Sequence, residues 1–258
     1  MTPLRAAAAV LVGLVAGVLS GLFGVGGSIV TTPAINVLLG GTAIQAVGTP
    51  LPVTFPTALA GAVAYARARQ LSWRAFRWAA IPGIAGAVGG AWLTDFVNPH
   101  ILLVITAVLI GWTAVRVVRG RPARVSWELG KTQGWIYGMV GLVAGFVSGL
   151  LGVGGGIIFV PAFALLIGMP LKRSLGTSLV TITAIVIPGT VVHGLLGHID
   201  WAIALFLTVG VIPGASLGAR IALRTRDRTL RGAVGAFLMT IAVLYGIREV
   251  AALLAGRG

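Results

Sequence analysis

The chain has no cysteine, only five acidic residues and only three histidines among 258 positions. The missing thiols exclude disulfides, cysteine-ligated metals and any relay of a substrate through sulfur. No carboxylate pair, no His/Asp/Glu metal spacing and no nucleophile–base set falls inside an apolar run, which argues against an intramembrane enzyme and predicts no cofactor. Charge of either sign is scarce, at 9% of residues. None lies between Arg5 and Arg67, and none between Lys131 and Lys172.

What fills those stretches is apolar. Hydrophobic residues make up 57% of the chain, the mean hydropathy is +1.03, and several windows exceed the roughly 20 residues that cross a bilayer. The chain reads as a multi-pass protein of the cell membrane with lipid as its main solvent. The apolar pattern recurs to the C-terminus, so the first run is a span rather than a cleavable signal. A net charge of +14 would suggest nucleic acid in a soluble protein. Here the arginines cluster in short loops, as cytoplasmic loops require, and no nucleic-acid partner is expected.

Glycine is the conspicuous presence. Gly13 to Ser28, GLVAGVLSGLFGVGGS, returns as Gly141 to Gly156, GLVAGFVSGLLGVGGG, with 12 of 16 positions identical at an offset of 128. The offset persists through Pro33/Pro161, Gly40/Gly168 and Gly48-Thr49/Gly176-Thr177 to Trp73/Trp201. The fold class is therefore all-α: a polytopic membrane protein of two repeats with about five segments each. The first repeat covers 1–118, with segments near 6–22, 29–39, 46–66, 74–94 and 100–118. A basic cytoplasmic linker, 119–131, leads to the second repeat, 132–258, with segments near 133–151, 157–168, 174–196, 201–223 and 232–254.

Loop charge predicts that the repeats are inverted. Arg67, Arg69, Arg74 and Arg77 crowd a loop whose counterpart near His198 and Asp200 has no lysine or arginine. The next loop reverses the pattern, with none from Asp95 to His100 but Arg224, Arg226, Arg228 and Arg231 in its match. Both termini then lie outside, although Arg5 sits in one of them.

Residues 6–39 would make only about 50 Å of helix, too short for two crossings. A hairpin turning inside the membrane follows, with apices at Gly24, Gly26, Gly27 and Ser28 in one repeat and Gly152, Gly154, Gly155 and Gly156 in the other. Irregular backbone at that depth needs protein or a watery cavity around it. A short helix after each turn aims amide donors and a dipole end at one spot, an anion site without a charged side chain. Close helix packing is the other use of such glycines.

Polar groups near the turns complete the candidate substrate site: Thr31 and Asn36 after the first turn, and Thr49, Thr177 and Ser178 at the start of each third segment. Pro50, Pro52 and Pro56, with Pro188 in the second repeat, are expected to break or bend the helices around it. Arg173, beside Lys172, is a candidate entrance residue. His193, at the position of Tyr65, is the candidate for proton coupling or a packing histidine.

The paired G-x-x-G-x-G-G-[GS] turns with a following proline, Gly21 to Pro33 and Gly149 to Pro161, resemble the TauE/SafE sulfite exporter family of membrane permeases. Gly176-Thr177-Ser178 and Gly197-His198-Ile199-Asp200-Trp201 extend the resemblance over nearly the whole chain. It implies transport of a small sulfur anion such as sulfite, sulfonate or sulfoacetate. The inverted repeats suggest a secondary transporter working by alternating access, and because no ATP-binding module is encoded its energy is expected from an ion gradient, of protons or sodium, from the substrate gradient or from a partner. A passive anion channel, or a carrier of non-sulfur organic anions, is the alternative.

Overall fold

The computed structural model describes residues 3–97, 134–152 and 154–254, with Val108, Trp112 and Val115 between. Helix α1 (Pro3–Phe23) stops where Gly24 takes a φ of +71°. The short α2 (Ser28–Val37) follows, and the Arg5 guanidinium donates to the Leu39 carbonyl just beyond its end. This places the terminal cation where a helix dipole is negative. Helix α3 (Ala43–Gly48) opens on a capping box in which Thr42 and Gln45 bond each other's backbone amides.

Pro50 then separates α3 from α4 (Pro50–Arg67), because proline brings no amide to continue the ladder. The second repeat carries Ser178 at that position, and α8 (Leu171–Leu195) runs through it unbroken. Helix α5 (Trp73–Leu93) starts on the Ser72 cap. After α6 (Gly134–Leu151) come the short α7 (Gly156–Pro161), continued by a π turn over Ala162–Leu166, then α8 and α9 (Trp201–Arg224), which is capped by Asp200, and finally α10 (Asp227–Leu254). Nine of the ten expected segments thus correspond to helices. The expected 100–118 segment and the 119–131 linker lie outside the described residues.

The helices pair across the repeats. The most extensive partnerships are α1 with α9 and α5 with α6, which the 128-residue offset interchanges. Each is a parallel pair with its glycines on the seam. A Cβ on Gly17 would meet the Val211 oxygen at 2.5 Å, and one on Gly145 would meet the Gly83 oxygen at 2.0 Å. Backbones approach this closely only where small residues recur every fourth position, here Gly13-Gly17-Gly21 against Gly210-Gly214-Gly218.

At the centre, α4 packs on its own counterpart α8. Gly61 faces Leu179 while Gly189 faces Leu51. As residue numbers rise on one helix they fall on the other, so these matched helices run antiparallel, as an inverted pair of repeats requires.

Five stretches are long and apolar enough to cross a membrane: Pro3–Phe23, Ala43–Arg67, Gly134–Leu151, Leu171–Leu195 and Trp201–Arg224. Trp73, Trp92, Trp135 and Trp201 sit exposed at helix ends, where an aromatic belt meets the lipid headgroups. The chain is an all-helical, multi-pass protein of the cell membrane.

Candidate functional site

Both glycine turns adopt the expected irregular backbone. Gly24, Gly26 and Gly27 have φ of +71°, +88° and +83°, and Gly152, Gly154 and Gly155 have +66°, +73° and +72°. The hydrogen bonds match as well. The Gly24 amide donates to the Ser20 oxygen at 2.7 Å, and the Gly152 amide to the Ser148 oxygen at 2.9 Å. Beyond each turn a new helix begins, with the Val30 and Thr31 amides on the Gly27 carbonyl and the Ile158 and Phe159 amides on the Gly155 carbonyl.

The two apices touch. Gly156 stands where the first repeat has Ser28 because its Cβ position lies 2.4 Å from Val25 Cα. The Cβ position of Gly154 lies 3.1 Å from Ser28 Oγ, and Thr54 reaches both turns, with its Cγ2 3.0 Å from the Cβ position of Gly26 and 3.1 Å from that of Gly154. Thr54 is near the middle of the Ala43–Arg67 stretch, so the turns meet at mid-depth of the bundle.

Several expected substrate donors also hold the scaffold. Thr49 Oγ1 accepts from the Asp200 amide at 2.9 Å, and Thr177 Oγ1 accepts from the Ser72 amide at 2.9 Å. These are equivalent bonds, each tying the start of one repeat's third segment to the cap of the other repeat's fourth segment. Ser178 Oγ donates to the Gly24 carbonyl at 2.8 Å, which fixes the first turn directly. Thr31 bonds weakly back to the Gly27 and Ser28 carbonyls at 3.5 and 3.4 Å. Asn36 is half-buried near the far end of α2.

Replacing Thr49 or Thr177 by valine should cost about 1 to 3 kcal/mol each by stranding a loop amide, and serine should restore most of it. Thermal unfolding in detergent measures this. Equal melting for the valine and serine variants would remove these bonds from the account.

The candidate entrance is anchored elsewhere. Lys172 Nζ donates to the Leu223 carbonyl at 3.0 Å and lies 3.6 Å from an Asp227 carboxylate oxygen, joining α8 to the end of α9 and the start of α10. Arg173 is half-buried beside it. His193 is fully buried, with Nε2 2.9 Å from the Gly149 carbonyl oxygen. Its repeat partner Tyr65 donates to the Gly21 carbonyl, the equivalent atom, at 3.1 Å.

Among the described residues, four buried side-chain oxygens have no hydrogen-bond partner: Ser20, Ser28, Thr32 and Ser148. All belong to the glycine-turn segments, and Ser20 and Ser148 are equivalent. A buried hydroxyl without a partner costs about 1 to 3 kcal/mol, so four around one feature mark a place built to meet something polar. Ser20 and Ser148 were absent from the sequence reading, although they stand unchanged inside the repeated 16 residues. Polarity also differs between the turns, since Thr54 and Thr57 of α4 correspond to Ile182 and Ile185 of α8. Among the described residues no group of three His, Asp or Glu could hold a metal ion.

The model of the family described as sulfite exporter TauE/SafE matches residues 9–245, which include both turns and every clasp above. The chain belongs to the TauE/SafE family. Its relatives include the probable membrane transporter protein YunE of Bacillus subtilis, 30% identical with 86% of this chain and 90% of the relative covered. A probable membrane transporter protein of Xylella fastidiosa is 29% identical over 91% and 92% of the two chains. One of Methanocaldococcus jannaschii is 26% identical over 89% and 94%. No solved structure matches the chain. As a TauE/SafE protein the chain is a membrane transporter and not an enzyme.

Proposed function

We propose that this transporter is a secondary carrier of a small sulfur oxyanion, such as sulfite, a sulfonate or sulfoacetate, and that the anion binds where the two glycine turns meet. The cluster of unpartnered hydroxyls at the apices carries the reading. An oxyanion accepts from hydroxyls and amides, and a donor set of this kind offsets desolvation without the cost of burying a fixed cation. Ser20, Ser28 and Ser148 supply the side-chain donors. The Ser28 amide, ahead of the α2 ladder, and the dipole of that ten-residue helix add to them. Thr49, Thr177 and Ser178 position the turns. Access alternates as the α1–α9 pair moves against the α5–α6 pair about the crossing of α4 and α8.

Proteoliposomes carrying the protein should show saturable uptake and counterflow of at least one sulfur oxyanion from a panel that also contains small carboxylates. Ser20→Ala and Ser28→Ala should each weaken the apparent affinity roughly tenfold to a hundredfold, the value of one hydrogen bond to a charged group, with yield preserved. Flux without saturation means a channel, and uptake confined to carboxylates overturns the sulfur assignment. Parent-like affinity in both alanine variants removes the site from the apices.

A further inference from the structure

The two repeats differ most where their turns meet. A Cβ on Gly154 would face Ser28 Oγ at 3.1 Å and Thr54 Oγ1 at 3.8 Å. At the equivalent Gly26, beyond the Thr54 methyl, the neighbours are Ile182 Cγ2 and Cδ1 at 3.4 and 3.5 Å. The next glycine repeats the contrast. Gly27 faces Thr57 Cγ2 at 3.2 Å and Ser20 Cβ at 3.6 Å, whereas Gly155 faces Ile185 Cδ1 at 3.1 Å and Phe159 Cε2 at 3.3 Å. Of the four unpartnered hydroxyls, Ser20, Ser28 and Thr32 belong to the first repeat and Ser148 alone to the second. Around the crossing of α4 and α8, the first repeat therefore contributes hydroxyls and the second hydrocarbon.

Burial does not force that hydrocarbon. Thr54 and Thr57 satisfy their hydroxyls by donating to the Pro50 and Val53 carbonyls at 2.8 and 2.6 Å. Helix α8 accepts threonine in the same way on both sides of Ile182, with Thr181 donating to Thr177 and Thr183 to Leu179 at 2.8 and 2.9 Å. Isoleucine at 182 and 185 supplies what threonine would not, a fully buried apolar wall against the glycine turns.

We propose that Ile182 and Ile185 are specificity-determining residues that receive the carbon substituent of an organic sulfur oxyanion, its oxygens lying among Ser20, Ser28 and Thr32, so that the preferred substrate is a short alkanesulfonate. This rests on the transporter reading above and narrows it. A sulfonate carries three oxygens on one side of its sulfur and carbon on the other, which matches donors on one side and isoleucine on the other. Sulfate and sulfoacetate would bring oxygens against side chains that offer no donor, and a buried carboxylate without a partner is far costlier than a missing neutral hydrogen bond. Sulfite fits the hydroxyls but leaves the isoleucines without a contact. Each methylene packed against them should tighten binding about fourfold.

Proteoliposome uptake of radiolabelled methanesulfonate, competed by other oxyanions, reads the preference. In the parent, ethanesulfonate should compete about fourfold more strongly than unlabelled methanesulfonate, and about tenfold or more over sulfite, sulfate and sulfoacetate. Ile182→Thr and Ile185→Thr, the residues of the first repeat, should each bring the ethane-to-methane ratio to about one. Ser28→Ala should weaken both sulfonates together and keep the ratio, which separates the two sides of the site. Ile185→Val removes a single methyl and guards against misfolding of the threonine variants. It should improve propanesulfonate relative to ethanesulfonate, a gain that a damaged protein does not produce.

Sulfite or sulfoacetate competing as strongly as ethanesulfonate in the parent, or sulfite taken up where methanesulfonate is not, overturns the inference and leaves the sulfur carrier standing. A parent-like preference in both threonine variants and in Ile185→Val takes the substituent off the isoleucines and overturns it too. A protein that moves no oxyanion of the panel fails the transporter reading itself.

Discussion

Gly152→Ala should abolish the folded protein. A Cβ there would lie 1.9 Å from the Val47 oxygen, with backbone and no flexible side chain in the way, and the residue would have to hold a φ of +66°. A left-handed alanine costs about 1 to 2 kcal/mol and a backbone overlap of this depth at least 1 to 3 more, a large share of a typical 5 to 15 kcal/mol of stability. Gly156→Ala meets Val25 Cα at 2.4 Å and should be nearly as damaging, through the contact between the turns. Gly232, helical with nothing within 4 Å of its Cβ position, is the control, and alanine there should be neutral or stabilising. Monodisperse yield after detergent extraction, followed by a thermal melt, reads all three. Parent-like melting of Gly152→Ala would mean that the turn does not hug the α3 end as described.

Single cysteines should label from opposite faces of the membrane at equivalent positions. The chain has no cysteine of its own, so the parent is already a clean background. Arg69 and Gly197 occupy the same place in the two repeats, each with a positive φ, of 56° and 74°. Antiparallel α4 and α8 put them at opposite ends of the bundle, and loop charge puts Arg69 inside. Cysteine at Arg69 and at Arg226 should react with an impermeant maleimide only from the cytoplasmic side, and cysteine at Asp95 and Gly197 only from outside. Arg69 and Gly197 reacting from one side would exclude the inverted arrangement.

Much of this architecture was legible because lipid leaves the backbone few choices. Apolar length sets the helices, and the 16-residue repetition marks both turns. The pairing of α1 with α9 was less visible, since two segments almost 200 residues apart touch only in the folded bundle. Its trace was present in the four-residue spacing of Gly13, Gly17 and Gly21 and of Gly210, Gly214 and Gly218, which reads as a packing seam only when the matching stripe is identified.

At the site, positive φ at the turns followed from glycine, but the roles of the hydroxyls did not. A threonine's type shows that it can bond, and only the fold shows whether a loop amide has already taken its oxygen, as at Thr49 and Thr177. The serines with no partner are the same residue type seen in a different place.

The exchange of partners between repeats bears on how the protein is made. Helix α1 leaves the ribosome well before α9, yet the surface its glycines fit belongs to α9, so Gly13 waits for Leu207. At translation rates of 5 to 20 residues per second that interval is about 10 to 40 s. During it, α1 sits in the bilayer with a bare glycine stripe, exposed to wrong partners and to quality-control proteases. Neither half can complete a seam alone, so a 1–118 fragment should be degraded when produced by itself and rescued when 132–258 is synthesised in the same cell.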